Sequence, residues 1–345
     1  MKETKLLIKD LESHVRELCQ PEGRMVGTDG HKRAEKWVAQ KLSEIGCEPY
    51  SGESYALPYE REGISFTNFA GSIAGKDRDL PPILIGAHYD SVISAPCADD
   101  NGSAVAITLA VGESIVAAGG LNRDLVVAIF DAEEPPYFQT SCMGSNRFYH
   151  DQADERNFHF ALISDLVGHD VCLPEDVPKL VALARPLVKP LAPLTFMTGA
   201  ESHPQLPETL KDVEIPDRMK LIATLNRYVD DMSDHGVFRR NYVPYLFLSC
   251  GRWEHYHMPT DTPEKLNYEK MAAIAQYAER VCWSVSASEL QEFSDSVDPV
   301  NFEAETWKQS LGLMRRPFAK LLGVSDFKTR GQIDRAADAL TSFGL

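Results

Sequence analysis

Ile83-Leu-Ile-Gly-Ala-His88-Tyr-Asp90-Ser91, followed after a short loop by Cys97-Ala-Asp99-Asp100-Asn-Gly102, is the stretch whose reading decides the rest of the chain. A run of aliphatic and β-branched residues closed by Gly86 reads as a buried strand, and polar chemistry begins where that run ends. His88 therefore stands at the C-terminal edge of a strand, where the loops of an α/β sheet carry ligand-binding groups. Asp90, two residues on, shares its face and can accept the proton of the second imidazole nitrogen. Asp99 and Asp100 precede a long apolar helix, where they fit either as helix-capping acids or as carboxylates joining His88 at a metal ion. Alone, His88 with Asp90 suits a local hydrogen bond as well as a metal site.

Outward from that stretch, Ser103 to Ala118 is apolar nearly all round and predicts a helix buried against a sheet. Leu125 to Phe130 is a second continuous apolar strand, and the order strand, helix, strand predicts a parallel pair with a right-handed crossover. It runs into Asp131-Ala-Glu133-Glu134-Pro135-Pro136, whose two prolines stop both strand and helix and pin the acids in a loop at the edge that carries His88. Phe160 to Ser164 reads as a third strand and is followed by Asp165, Phe196 to Gly199 as a fourth, and Val243 to Ser249 as a fifth, followed by Trp253-Glu-His255-Tyr256-His257-Met-Pro-Thr-Asp261-Thr. Acids or histidines at the ends of successive strands form a repeated pattern, which argues for a built site rather than chance. Upstream, Leu7, Leu11, Val15 and Leu18 repeat at helical spacing, as do Ala34, Trp37, Val38, Leu42 and Ile45 before a stop at Gly46. Residues 48–80 read as short strands and loops, Phe66 to Ala74 being the best strand among them.

Composition narrows the function classes. At 345 residues, 43% hydrophobic and 25% charged, the chain is a globular protein with a large core. Its net charge of −16 argues against nucleic acid and anionic membrane as partners and favours a small-molecule or peptide substrate. Seven cysteines without paired spacing predict reduced thiols, and no apolar run is long enough for a signal peptide or a membrane span. A cytoplasmic location is the expectation.

His88-Tyr-Asp90-Ser, Ala98-Asp-Asp100-Asn-Gly-Ser, the Glu133-Glu134 pair, Asp165 and Tyr256-His257-x-Pro-x-Asp261-Thr together resemble the co-catalytic zinc aminopeptidase family. That family also holds carboxypeptidases acting on acidic dipeptides, glutaminyl cyclases, and receptor ectodomains that have lost the metals. The resemblance covers roughly residues 20–285 and implies an α/β fold with a mixed, mostly parallel central β-sheet sandwiched by helices, in agreement with the strand order above. It implies two Zn2+ per chain. Asp100 resembles the carboxylate bridging them, His88 and Asp165 the terminal ligands of one ion, and Glu134 and His257 those of the other. Asp90 resembles the partner that orients His88. Glu133 resembles the general base that takes a proton from the metal-bound water and passes it to the leaving amine. Tyr256 stands where some relatives place an oxyanion-stabilising tyrosine, and a packed aromatic is the other reading of it.

Within the resemblance, Asp100 is preferred to Asp99 because it directly precedes Asn-Gly-Ser, and His257 to His255 because it carries the Pro-x-Asp-Thr. Asp234 is expected to support a loop, Cys97 and Cys142 to be structural thiols, and His159, His169 and His203 to lie on the surface. The chain departs from many relatives in the run Pro135-Pro136-Tyr137-Phe138, with Gly144-Ser145 arriving late, which affects the substrate pocket more than the metals. Residues 174–240 are expected to be cleft-covering loops. Residues 1–287 are expected to form the catalytic domain and 288–345 a helical extension, with Leu311, Leu313, Met314, Phe318 and Leu322 packing it or forming a homo-oligomer contact. The implied function is an aminopeptidase acting on peptide or aminoacyl substrates. A glutaminyl-cyclase-like acyl transferase and a non-catalytic binding protein are the rival classes.

Overall fold

Ile83, Ile85 and Ala87 pack into one hydrophobic layer and Leu84 into another, the two-residue period of a strand buried on both faces. The computed structural model describes residues 3–153, 157–172, 189–290 and 297–342. Its strands are β1 (Glu48–Pro49), β2 (Ala56–Arg61), β3 (Ile64–Ile73), β4 (Ile83–His88), β5 (Leu125–Phe130), β6 (Phe160–Ser164), β7 (Leu194–Thr198), β8 (Lys220–Ala223) and β9 (Tyr245–Ser249). Among the described residues they form one mixed sheet in the order β1-β3-β5-β4-β6-β9-β7-β8, with β2 paired to β3. The central strands β5, β4, β6 and β9 are mutually parallel, and antiparallel pairings bring in β3 on one side and β7 on the other.

The helices are α1 (Thr4–Leu18), α2 (Asp29–Glu44), α3 (Ala104–Ala117), α4 (Gly144–Gln152), α5 (Leu206–Leu210), α6 (His235–Arg240), α7 (Tyr268–Ser286), α8 (Val300–Leu311), α9 (Arg315–Leu321) and α10 (Arg330–Ser342). Leu7, Val38, Ile107 and Ile274 carry α1, α2, α3 and α7 onto the face that receives Val127 and Leu162. Phe148 and Phe238 carry α4 and α6 onto the face that receives Val126 and Ala161. Both faces of the sheet are thus covered, as the unbroken apolar runs of β4, β5 and β6 require. No helix among the described residues is long and apolar enough to cross a membrane.

Strand order places the site. The chain passes from β4 through α3 to β5 on one side, then returns to β6 on the other side of β4. This reversal makes the C-terminal edge of β4 a topological switch point, where neighbouring connections diverge and leave a crevice.

Several expectations are corrected. Of residues 174–240, the stretch 174–188 lies outside the described residues; in the remainder β7 stands where Phe196 to Gly199 reads as a strand, and β8 is a strand where the sequence predicts only loop. His159, His169 and His203 are buried, not on the surface. The helices beyond residue 297 join the main core through Trp307, Leu311, Phe318 and Leu322, whereas Leu313 is fully exposed. They also finish the sheet. On the outer edge of β8, Leu221 N–H donates to Ser310 Oγ (2.7 Å), Ala223 N–H donates to Thr306 Oγ1 (3.0 Å), and Trp307 Nε1 donates to Ala223 O (3.0 Å). Side chains of α8 thereby satisfy groups that an open edge strand would expose.

Candidate metal centre

His88 ends β4, and the register pairs it with Phe130, the last residue of β5, so the loop Asp131–Glu134 leaves the sheet beside it. Asp165 follows Ser164 at the end of β6. Asp100 arrives on an irregular turn, Ala98–Ser103, in which Asp100 (φ −108°, ψ 90°) and Asn101 (φ −126°, ψ 37°) leave helical dihedrals. His257 comes from the loop after β9. Ala132 (φ 53°), Leu166 (φ 53°) and His257 (φ 58°) all take left-handed backbone, an uncommon conformation for such residues. Strain of this kind clusters where side chains are aimed at a functional site.

The side chains meet around Asp100. His88 Nε2 lies 3.5 Å from Asp100 Oδ1 and 3.7 Å from Asp165 Oδ2, while His257 Nε2 lies 3.2 Å from both Asp100 Oδ2 and Glu134 Oε2. Each carboxylate oxygen of Asp100 therefore faces a different histidine. Donor atoms of His88, Asp100 and Asp165 fall within 4.8 Å of one another, and so do those of Asp100, Glu134 and His257. Ligands at 2.0–2.2 Å on a tetrahedral ion stand about 3.3–3.6 Å apart, close to the separations found. Among the described residues, buried His88 Nε2, Asp165 Oδ1, Glu134 Oε1 and His257 Nε2 lack a hydrogen-bond partner. Orphaned polar atoms converging in this way mark a place meant for something else, and N/O donor sets of this composition fit zinc.

The charge balance agrees. Burial and the neighbouring Asp100 push Glu134 up to about 8. Burial, with the charges of Asp165, Asp234 and Glu134, raises Glu133 well above the usual carboxylate range. Burial also raises Asp165, whereas at Asp100 the two imidazoles of His257 and His88 facing it outweigh burial and hold the carboxyl low. Burial pulls the two imidazoles down, but the carboxylates around them win, raising His88 and taking His257 to about 9. Several acids crowded into one buried volume repel one another, and divalent cations would relieve that repulsion.

A second set of residues holds the first in place. Asp90 accepts from His88 Nδ1 (3.2 Å) and from the backbone N–H groups of Glu133 and Glu134 (both 3.1 Å), so one carboxylate fixes the imidazole and the acidic loop together. Ser233 Oγ donates to Asp165 Oδ2 (2.8 Å). Asp261 accepts the N–H groups of Asp99 (2.9 Å) and Asp100 (3.2 Å). Asp99 itself points away, to His169 Nδ1 and the Gly168 N–H, both at 2.6 Å. His169 stacks on Trp253. His255 bonds Thr260 and stays out of the site. Asp234 is buried beside the site, and burial pushes it up to about 7. Cys97 and Cys142 are buried free thiols.

Sequence reading overlooked Arg24 and gave Asp261 no role. Buried Arg24 donates to Tyr89 O, Pro96 O and Cys97 O, tying together the end of β4 and the loop that leads into the Asp99-Asp100 turn. Nothing local to Gly23-Arg24 signals this, because its partners are 65 or more residues away. A third group, His31, Glu35 and Asp131, has donor spacing for a metal. Asp131 is already occupied, however, by His31 Nε2, Thr67 N–H and Ala132 N–H.

The acids open into a cavity of about 480 Å³ whose farther walls include Phe138, Phe196, Phe247 and Leu340. Tyr256 lines it, half-buried, with its ring stacked on His257 (3.7 Å between centroids) and Arg252 over its face. Pro135 and Phe138 of the unusual proline run also line the cavity. Gly144 is required after that run: a Cβ there would collide with Asp131 O and Asn68 Oδ1.

The family model for peptidase family M28 matches residues 68–282. The chain is similar to the uncharacterized protein YfbL of Escherichia coli K12, at 26% identity over 211 residues that cover 57% of this chain and 64% of that protein; it therefore spans less than two thirds of that relative. In fold it is similar to the LapA aminopeptidase of Legionella pneumophila (TM-score 0.64, 17% identity, 84% of this chain and 74% of that one). It is also similar to a glutaminyl cyclase of Bacteroides thetaiotaomicron (TM-score 0.59, 15% identity, 80% and 97%).

Proposed function

This chain belongs to peptidase family M28, and from that premise we propose that it is a zinc-dependent aminopeptidase holding two ions. The observation that carries the reading is Asp100, whose two oxygens face separate histidines, each with its own further carboxylate. His88 and Asp165 would hold one ion, Glu134 and His257 the other, and Asp100 both. Bound zinc supplies Lewis acidity, polarising a carbonyl and bringing the pKa of water near 7.

The chain's own groups do the rest. Glu133 approaches His88 Nε2 at 3.6 Å without being tied up by it, and its raised proton affinity suits a general base that returns the proton to the leaving amine. Asp90 keeps the proton of His88 on Nδ1 and leaves Nε2 free to ligate. Tyr256, whose ring stacks on His257 and which lines the cavity, would be the residue to donate a hydroxyl to a developing oxyanion. Carboxylate oxygens of Glu133 and Asp165 are the groups that would receive a substrate's charged amine, fixing its first peptide carbonyl over the site. The buried free thiols of Cys19, Cys47, Cys97, Cys142, Cys250 and Cys282 support a reducing, cytoplasmic compartment.

The test is a zinc-loaded preparation given aminoacyl amides, their N-acetyl forms and peptides beginning with glutamine. Free amides should be cleaved and acetylated ones turned over at least about 10²-fold less, since acetylation removes the charge that positions the substrate. Chelation should abolish the activity and zinc restore it. Ammonia release from amino-terminal glutamine without peptide hydrolysis would establish the cyclase instead. Equal turnover of blocked and free amides would overturn the exopeptidase reading.

A further inference from the structure

The cavity that begins at Asp100 and Glu133 ends on α10, a helix outside the residues matched by the family model. Ala337, Leu340 and Thr341 line it, and their spacing of three and four places them on one helical face. Thr341 Oγ1 donates back to Ala337 O (3.0 Å), so no hydroxyl hydrogen of that face is left to seek a substrate partner. Across from α10 stand Phe196 of β7 and Phe247 of β9, whose positions the sheet fixes. Phe196, Phe247, Ala337 and Leu340 make this part of the cavity wall apolar.

The helix is held firmly. Asp334 accepts from Arg227 Nη2 (2.8 Å) and from the hydroxyl of Tyr228, which also lines the cavity. Arg330 Nε donates to Asp298 (3.0 Å), and its guanidinium pairs with fully buried Glu303 of α8. A buried pair of this kind fixes where α10 sits, because displacing it would strand a charge. Ala337 puts a small side chain opposite the large Phe196 and Phe247, and a longer side chain there would extend into the cavity.

Resting on the aminopeptidase reading, we propose that α10 is the specificity element of the enzyme: Ala337 and Leu340 set how large an apolar side chain the amino-terminal residue of a substrate can carry. One methylene gained or lost in such a pocket changes discrimination about 10- to 200-fold. The experiment measures kcat/KM for alanyl, leucyl and tryptophanyl amides in one preparation each of the wild type, Ala337→Leu and Leu340→Ala. Ratios between substrates in one preparation do not depend on how much of it is folded. Wild type should prefer leucyl to alanyl amide. Ala337→Leu should lower the leucyl-to-alanyl ratio at least about 10-fold, and Leu340→Ala should raise the tryptophanyl-to-leucyl ratio by about the same factor. Ratios within about twofold of wild type in both variants, or a wild type that prefers alanyl amide, overturn the role of α10 while leaving the aminopeptidase reading intact. A wild type that cleaves no free aminoacyl amide removes that reading, and this inference with it.

Discussion

The two ends of the cavity are built differently. At the acidic end, β4, β5, β6 and β9 run parallel and release His88, Glu133, Glu134, Asp165 and His257 at one edge. At the apolar end, Phe196, Val229, Phe247 and Leu340 arrive from separate stretches of chain. Strand register fixes the first set jointly, and His88, Glu134, Asp165 and His257 all gather around Asp100, so its members cannot be exchanged singly. The second set shares only the need to be apolar and to leave the right space, a requirement that many side chains meet. Chemistry should therefore fail abruptly on substitution at one end, and specificity should drift at the other.

The largest expected effect separates two adjacent carboxylates. Asp100→Ala removes the group shared by both donor sets and should take most bound zinc and nearly all activity with it. Asp99→Ala removes contacts to Gly168, His169 and Ser103, none of them a member of the two donor sets, and should keep more metal. Metal analysis of folded protein checks both, and wild-type zinc in both variants would break the distinction between the two ends. The next effect divides holding metal from moving a proton. Glu133→Gln keeps the shape but cannot accept a proton, and should retain zinc while losing at least about 10²-fold in kcat. Wild-type turnover in this variant removes Glu133 from the mechanism.

The smallest effect concerns β9, which serves both ends. His235 stacks on Phe247 (4.2 Å between centroids), and burial pushes its imidazolium down to about 4. An unfolded histidine titrates near 6.5, so between these values the unfolded chain binds more protons and stability falls as pH falls. The contribution is complete above about pH 6.5 and is lost on passing down to about pH 4, on the order of 3 kcal/mol, with roughly 2 kcal/mol gone by pH 5. Urea unfolding at pH 7 and pH 5 should show a smaller difference in His235→Phe than in wild type; an equal difference would place the acid sensitivity elsewhere.

The acidic end was legible in part because His88, the Glu133-Glu134 pair and Asp165 close or follow unbroken apolar runs whose strand character needs no distant information, whereas Asp100 and His257 lie in loops and are picked out by the resemblance of their flanking motifs. β4, β5 and β6 fall where the runs predict them, and His88, Glu134, Asp165 and His257 are gathered around Asp100. What escaped depends on long-range partners. β8 is four residues long and becomes a strand by pairing with β7 and being covered by α8. His169 is drawn inside by Asp99 and Trp253, which no periodicity around it announces. The wall formed by α10 was hidden for the same reason: its amphipathic pattern shows that it packs, but not on what.

The carboxylate of Asp261 has a consequence for the order of events during synthesis. It ties down the backbone of Asp99 and Asp100 from 162 and 161 residues later in the chain. A ribosome releases His88, Asp100 and both glutamates long before His257 and Asp261, and through that interval the Asp99-Asp100 turn lacks the acceptor that shapes it. Until the segment carrying His257 and Asp261 has emerged and β9 has paired with β6, an emerging chain therefore holds only partial sets of these donors, on a turn that lacks its tether.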